Sequence, residues 1–81
     1  MPENRIMPKM RILNNIRKLR FHHDEMTQEE LAEKVGVTRQ TIIAIESAKY
    51  SPTLELAFRI AQVFGVPLTE VFSYDPEDEA D

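Results

Sequence analysis

The chain has 81 residues, of which 42% are hydrophobic, and it contains no cysteine. This length suits one small domain with a single packed core. Without cysteine, neither disulfides nor thiolate zinc sites are possible, and no stretch approaches the roughly 18 apolar residues of a membrane span. The start, MPENRIMPKM, lacks the apolar run of a signal peptide, so we expect a cytoplasmic protein.

The net charge of −4 is unevenly distributed. Residues 75–81, DPEDEAD, hold five acids and no base, which leaves nine acids and ten bases in residues 1–74. Residues 1–20 hold six bases and one acid. A polyanionic partner responds more to the local electrostatic field of the protein than to its total charge. This uneven distribution of charge is therefore compatible with binding nucleic acid.

The charge and proline pattern divides the chain into three parts. Residues 1–9 show little periodicity and are predicted to be an N-terminal arm, either a frayed terminus or a basic arm that reaches along DNA. Residues 10–74 are predicted to be the folded domain. Residues 75–81 are polar and contain proline, so we expect an acidic disordered tail.

The first helix is predicted from Met10 to about Phe21. Ile12, Ile16 and Leu19 lie on one stripe at helical spacing. Arg17 and the other basic residues of this segment fall on other faces of the helix. They either lie near phosphates or form an ordinary solvated surface.

The strongest pattern is the stretch from Thr27 to Ser47, TQEELAEKVGVTRQTIIAIES. Thr27 and Glu30 have the spacing of a capping box, which predicts a helix start. Gly36 stands where that helix would end, because glycine adopts the left-handed conformation at little cost. Thr38 is a second N-cap candidate. Two short helices joined by such a turn form a helix-turn-helix.

The second helix of this motif has two different faces. Small or apolar residues of the motif at helical spacing predict the core, namely Leu31, Ala32, Val35, Val37, Ile42 and Ile45. On the opposite face, Arg39 and Gln40 have no evident core role. Arg pairs with guanine O6/N7 and Gln with adenine N6/N7, so this face suits base edges in a major groove. An ordinary helical bundle with a solvated polar face is the alternative.

Helix four is predicted over Leu54–Phe64, with Thr53 as its cap and Gly65 at its end. A short fifth helix is predicted after Pro67, with part of it available to a partner protomer. The apolar residues of these two helices are predicted to be core: Leu54, Ala57, Phe58, Ile60, Ala61, Phe64, Leu68, Val71 and Phe72.

TQEELAEKVGVTRQTIIAIES resembles the helix-turn-helix of the phage-repressor and Cro-like regulators, the XRE family. The resemblance runs from about Ile12 to Phe72, through IRKLR before the motif and SPTLELAFRIAQVFGVPLTEVF after it. It implies an all-α fold, a compact five-helix DNA-binding domain that works as a dimer on a palindromic operator. The chain departs from relatives at Glu25-Met26, where they have Gly-Leu, and at Ala48, where they have glycine. Ala48 is strained if it keeps the left-handed conformation of that glycine.

The resemblance also implies a phosphate contact for Gln28, at a helix N-terminus whose N–H groups and dipole favour an anion. Glu29 and Glu33 are then expected to face away from DNA. Base contacts are predicted for Arg39, Gln40, Thr41, Ile43 and Ala44. Backbone contacts are predicted for Gln28, Thr38, Arg17, Lys49 and Tyr50. Lys49 and Tyr50 either contact phosphate or pack against the next helix.

These features predict a DNA-binding transcriptional regulator, a repressor that binds double-stranded DNA as a homodimer. The alternative is a protein-interaction module, an antitoxin-like or adaptor subunit that acts through its fifth helix or acidic tail. No paired carboxylates, Ser/His/Asp set or glycine-rich phosphate loop stands out, so we predict no enzyme, no cofactor and no small-molecule substrate. His22 and His23 are adjacent and do not share a helix face, which makes them a poor metal pair.

Overall fold

A computed structural model describes residues 11–75. Two short strands enclose five helices, and the elements in chain order are β1 (Arg11–Asn14), α1 (Ile16–His22), α2 (Gln28–Val35), α3 (Arg39–Glu46), α4 (Leu54–Phe64), α5 (Leu68–Val71) and β2 (Phe72–Asp75). The predicted arm and the part of the acidic tail beyond Asp75 lie outside the described residues. Among residues 11–75, no helix is long and apolar enough to cross a membrane.

Hydrogen bonds accepted by threonine hydroxyls fix the starts of the three central helices. The Thr27 hydroxyl accepts from the Glu30 N–H at 2.9 Å, and the Glu30 carboxylate accepts from the Thr27 N–H at 2.9 Å, so the predicted capping box is confirmed. Thr38 caps α3 and Thr53 caps α4 in the same way, through single bonds. The predicted helix ends at glycine are also confirmed, since Gly36 and Gly65 are both left-handed.

One apolar core joins the helices. Its buried members come from α1 to α5 and comprise Ile16, Leu31, Ala32, Val35, Ile42, Ile45, Leu56, Ile60, Ala61, Phe64 and Val71. The prediction was wrong for Leu54 and Phe58, which are 67% and 53% exposed. Both lie on the solvent side of α4, because the stripe of Leu56, Ile60 and Phe64 occupies the side facing the core.

The two ends of the described chain pair in an antiparallel sheet that was not predicted. Asn14 pairs with Phe72 and Ile12 with Tyr74. The predicted first helix therefore starts only at Ile16, and Phe72 begins β2 instead of ending the fifth helix. Asp75, assigned above to the tail, is the last residue of β2. The all-helical bundle is otherwise as predicted, with this sheet as a minor addition.

The connection from α1 to α2 contains two non-glycine residues with left-handed backbone, at the point where the family resemblance implies Gly-Leu. Asp24 and Glu25 are both left-handed, with φ of 58° and 54°. They turn the chain so that the Met26 N–H donates to the Arg20 carbonyl at 2.9 Å, and Met26 packs against the core. His23 lies with its ring centroid 5.1 Å from that of Phe64. No group of three metal-ligating side chains occurs within residues 11–75.

Candidate nucleic-acid interface

The second helix of the motif, α3, presents a solvent face that is free of core contacts at its centre. Ile42 and Ile45 are buried, so the opposite side of the helix is centred on Gln40, flanked by Ile43 and Ala44. Gln40 is exposed, and Ile43 and Ala44 are half-buried. A polar side chain between two small apolar contacts matches what a major groove requires of a reading helix.

Arg39 lies at one edge of this face and Thr41 at the other. Arg39 is exposed and lines an open cleft towards α1 and α2. Thr41 lines a groove on the side of α4, and its hydroxyl lies 3.1 Å from that of Thr38. Of the five predicted base-contacting residues, the structure therefore groups Arg39, Gln40, Ile43 and Ala44 on the open side, with Thr41 at the margin.

The cleft beside Arg39 brings together residues predicted to have different roles. Arg17 of α1 and Gln28 at the N-terminus of α2 line it with Arg39. Arg17, Arg39 and the N-terminus of α2 favour an anion such as a phosphate backbone, and the carboxylates of Glu25 and Glu29 on the same cleft weaken that preference. Glu29 lines the same cleft. Glu33 is exposed elsewhere on α2. That both acids face away from bound DNA stays a prediction.

Gln28 is held in place by an ion pair that was not predicted. The Gln28 amide donates to the Glu46 carboxylate at 3.1 Å. Arg20 donates to both oxygens of that carboxylate, at 2.7 and 3.2 Å, and also to the Met26 carbonyl at 2.7 Å. The side chains of Arg20 and Glu46 are only 14% and 11% exposed. An amide nitrogen carries two hydrogens, so Gln28 keeps a second donor for a phosphate.

The remaining predicted backbone contacts lie at the two ends of α3. Thr38 uses its hydroxyl to cap the helix. Lys49 is exposed in the loop after α3. Tyr50 is 45% exposed, and it lines both the groove beside Thr41 and a cavity against Ile12 and Phe72. For Tyr50, contact with phosphate and packing against the next helix both stay predictions.

The pairing of Arg20 with Glu46 was difficult to predict from the sequence. They lie 26 residues apart on α1 and α3, and each looks like an ordinary surface charge in its own helix. The available signal is positional, because Glu46 is seven residues after Arg39 and thus returns to the same side of α3, facing α1 and α2. Asn14 was missed for a similar reason, since its partners at the end of α3 are 31 and 32 residues away.

Comparison with known proteins identifies the family. A helix-turn-helix family model matches residues 12–71, which is most of the chain. The chain belongs to the XRE family of helix-turn-helix regulators. Its XRE-family relatives include an uncharacterised helix-turn-helix-type transcriptional regulator of Methanocaldococcus jannaschii. That protein is 51% identical over 65 residues, which cover 80% of this chain and 97% of the relative.

Two further matches agree with this assignment. The transcriptional repressor RstR of a cryptic CTXphi phage of Vibrio cholerae is 40% identical over 68 residues, covering 84% of this XRE chain and 60% of RstR. A crystal structure from Bacteroides fragilis, whose assignment as DNA-binding is itself provisional, matches with a TM-score of 0.66 and 26% identity, covering 76% and 98% of the two chains. The protein is a DNA-binding regulator of this family and not an enzyme.

Proposed function

We propose that this protein is a cytoplasmic repressor that binds a palindromic operator in double-stranded DNA as a homodimer. The outward face of α3 carries the proposal, because Arg39 and Gln40 stand exposed at its capped N-terminal end. In this arrangement Arg39 reads guanine and Gln40 reads adenine, while Ile43 and Ala44 contact thymine methyl groups or the groove wall. Likeness to a phage repressor supports repression.

Phosphate contacts set the position of the domain on the duplex. Arg17 and Gln28 line the cleft next to Arg39, so they meet the backbone on one side of the reading helix. Thr38, Lys49 and Tyr50, at the two ends of α3, contact it there. These contacts supply affinity that does not depend on sequence and that weakens as salt rises.

Selection of bound duplexes from a random library tests this function. It should return one motif, and replacing Arg39 or Gln40 by Ala should then cost about 1–3 kcal/mol on that motif and much less on random duplex. Alanine favours helix, so α3 should still form. Arg17→Ala should weaken both duplexes alike, because a phosphate contact is not specific.

Lys34→Ala is the matched control for charge, because Lys34 lies in a groove with His23 and Val63, away from the cleft. It should change binding to the selected duplex least. If Arg39→Ala and Gln40→Ala stay folded and keep the ratio of specific to random affinity, this face is not the reader. If no duplex is enriched at all, the interaction-module alternative replaces the proposed function.

The homodimer is proposed to form around a cavity of about 200 Å³ between the terminal sheet and the loop after α3. Its lining is more apolar than polar and includes Leu13, Tyr50 and Pro52, of which Leu13 is 43% exposed. Exposed apolar clusters of this kind mark association surfaces. A two-fold axis here would bring the C-terminal ends of two α3 helices near each other, so the selected motif should show inverted half-sites ~34 Å apart.

Sedimentation of variants locates this interface. Leu13→Arg should convert the dimer to monomer, because it places a charge in the lining of the cavity. Phe58→Arg is the matched control, since Phe58 is 53% exposed on α4 and does not line the cavity. If Phe58→Arg dissociates the dimer and Leu13→Arg does not, the interface lies on α4 instead. If the unmodified protein sediments as a monomer at all concentrations, the proposal of a homodimer is wrong.

A further inference from the structure

Asn14, the last residue of β1, makes three hydrogen bonds through one side chain. Its amide nitrogen donates to the carbonyls of Ile45 and Glu46, at 3.0 and 3.3 Å. Its carbonyl oxygen accepts from the Ile16 N–H at 3.1 Å. A single half-buried amide thus joins the start of α1 to the end of the helix that carries the proposed reading face.

The carbonyls that Asn14 binds belong to the last turn of α3. The final carbonyls of a helix have no partners within the helix and need other donors. Ala48 bends back in the left-handed conformation, and its N–H donates to the Ile45 carbonyl at 3.0 Å. Asn14 adds a second donor to Ile45 and supplies one for Glu46. The end of α3 is therefore tied to β1 as well as capped by its own chain.

β1 is itself fixed to the last elements of the described chain. Asn14 pairs with Phe72 in the sheet, and the Asn15 N–H donates to the Val71 carbonyl at 2.8 Å. Through Asn14, the C-terminal end of α3 thus takes its position from the sheet and α5. The helix α3 is eight residues long, which corresponds to about 12 Å.

We infer that Asn14 is a positioning residue for DNA reading, which holds α3 at the tilt that lets Arg39 and Gln40 reach base edges. The inference rests on the proposed function. A tilt of about 10° over a helix of this length moves the far end by roughly 2 Å. Hydrogen bonds to base edges have an optimal range of only a few tenths of an ångström, so loss of the anchor should weaken specific binding while phosphate contacts continue.

The test compares two adjacent asparagines. Asn14→Asp keeps the acceptor for Ile16 but loses the donor and places a negative charge beside the α3 carbonyls. Asn14→Ser keeps a short acceptor without that charge. Asn15→Ala is the control, because Asn15 donates to the Glu70 carbonyl at 3.1 Å and not to α3. All three are measured well below their unfolding midpoints, on the selected duplex and on random duplex.

Both Asn14 variants should lower the ratio of selected to random affinity by about fivefold or more, whereas Asn15→Ala should leave it within about twofold. Hydrogen exchange without DNA gives an independent measure. The N–H groups of Ser47, Ala48 and Lys49 should exchange faster in the Asn14 variants, while those of α4 stay unchanged.

A wild-type affinity ratio in folded Asn14→Asp and Asn14→Ser overturns the positioning role, whatever the exchange rates show. Faster exchange together with a reduced ratio supports it. Failure of the proposed function looks different, because the unmodified protein would then select no duplex at all.

Discussion

The two ends of α3 are held in different ways. At the N-terminal end, Thr38 caps the helix locally, and Arg39 and Gln40 project into solvent. At the C-terminal end, other elements hold the helix through Asn14 of β1 and through the pairing of Glu46 with Arg20 of α1. In this small domain, contacts with other elements hold the C-terminal end of α3, which we call its anchored end. The N-terminal end can therefore remain exposed to a ligand.

Breaking the anchored end should have the largest effect on stability. Glu46→Ala leaves the Arg20 guanidinium, which is 14% exposed, with only its bond to the Met26 carbonyl. Removing one partner of a buried ion pair costs about 3–5 kcal/mol, and the partial exposure here places our expectation near ~3 kcal/mol. Denaturant unfolding followed by circular dichroism measures the loss.

Glu55→Ala is the control for this prediction. Glu55 pairs with Arg59 at 2.8 Å, but the two side chains are 75% and 53% exposed. An exposed pair four residues apart on a helix contributes about 0.3–0.5 kcal/mol. If Glu46→Ala and Glu55→Ala lower the free energy of unfolding equally, the Arg20–Glu46 ion pair stabilises the protein no more than an exposed pair does.

The next effect concerns Ala48, which ends α3 with φ of 64°. A left-handed alanine is strained by about 1–2 kcal/mol, while glycine adds about 0.4–1 kcal/mol of entropy to the unfolded chain. Ala48→Gly should therefore stabilise the protein by roughly 0.5–1 kcal/mol. The measurement is the midpoint of denaturant unfolding.

Ala44→Gly makes the same change within the regular part of α3 and should destabilise by about 1 kcal/mol. Opposite signs for these two substitutions would place the strain at the anchored end of α3. A lowered midpoint for Ala48→Gly would show that the helix runs on through Ala48 in a right-handed conformation.

Local chemistry made much of this fold predictable. Thr27, Gly36 and Thr38 act on neighbours within four residues, so their roles follow from spacing alone. The departure from glycine at Ala48 was visible because the resemblance supplied a residue to compare. The core assignment of α4 was only partly right, since periodicity does not say how wide the buried stripe is, and Leu54 and Phe58 fell outside it.

The anchored end was not predictable in the same way. β1 forms because residues 72–75 lie beside it, and nothing within residues 11–14 distinguishes a strand from the first turn of a helix. Asn14 and the Arg20–Glu46 pair depend on partners at least 26 residues away. The predicted site residues mostly gather on one side of α3 and the adjoining cleft, but whether they contact DNA stays a prediction.

The smallest effect is expected from the acidic segment that follows β2. Residues 76–81 contain four acids, and Asp75 of β2 should be kept because it pairs with Arg11 of β1. These acids are expected to compete with DNA for Arg17 and Arg39, the cations of the cleft beside α3. If they do, deleting residues 76–81 should strengthen binding to random duplex at low salt. The gain should be a few-fold at most, because Arg17 and Arg39 are exposed and salt already screens them.

A chain of full length with the same four acids replaced by Asn and Gln separates charge from length. It should match the deletion if the effect is electrostatic, and both gains should vanish as the Debye length falls to about 8 Å at physiological salt. Binding to the selected duplex should rise by the same factor, because the acids oppose phosphate contacts and not base contacts. Unchanged affinity for random duplex in both variants would leave the segment with no role at the cleft beside α3, and its charge would then serve solubility alone.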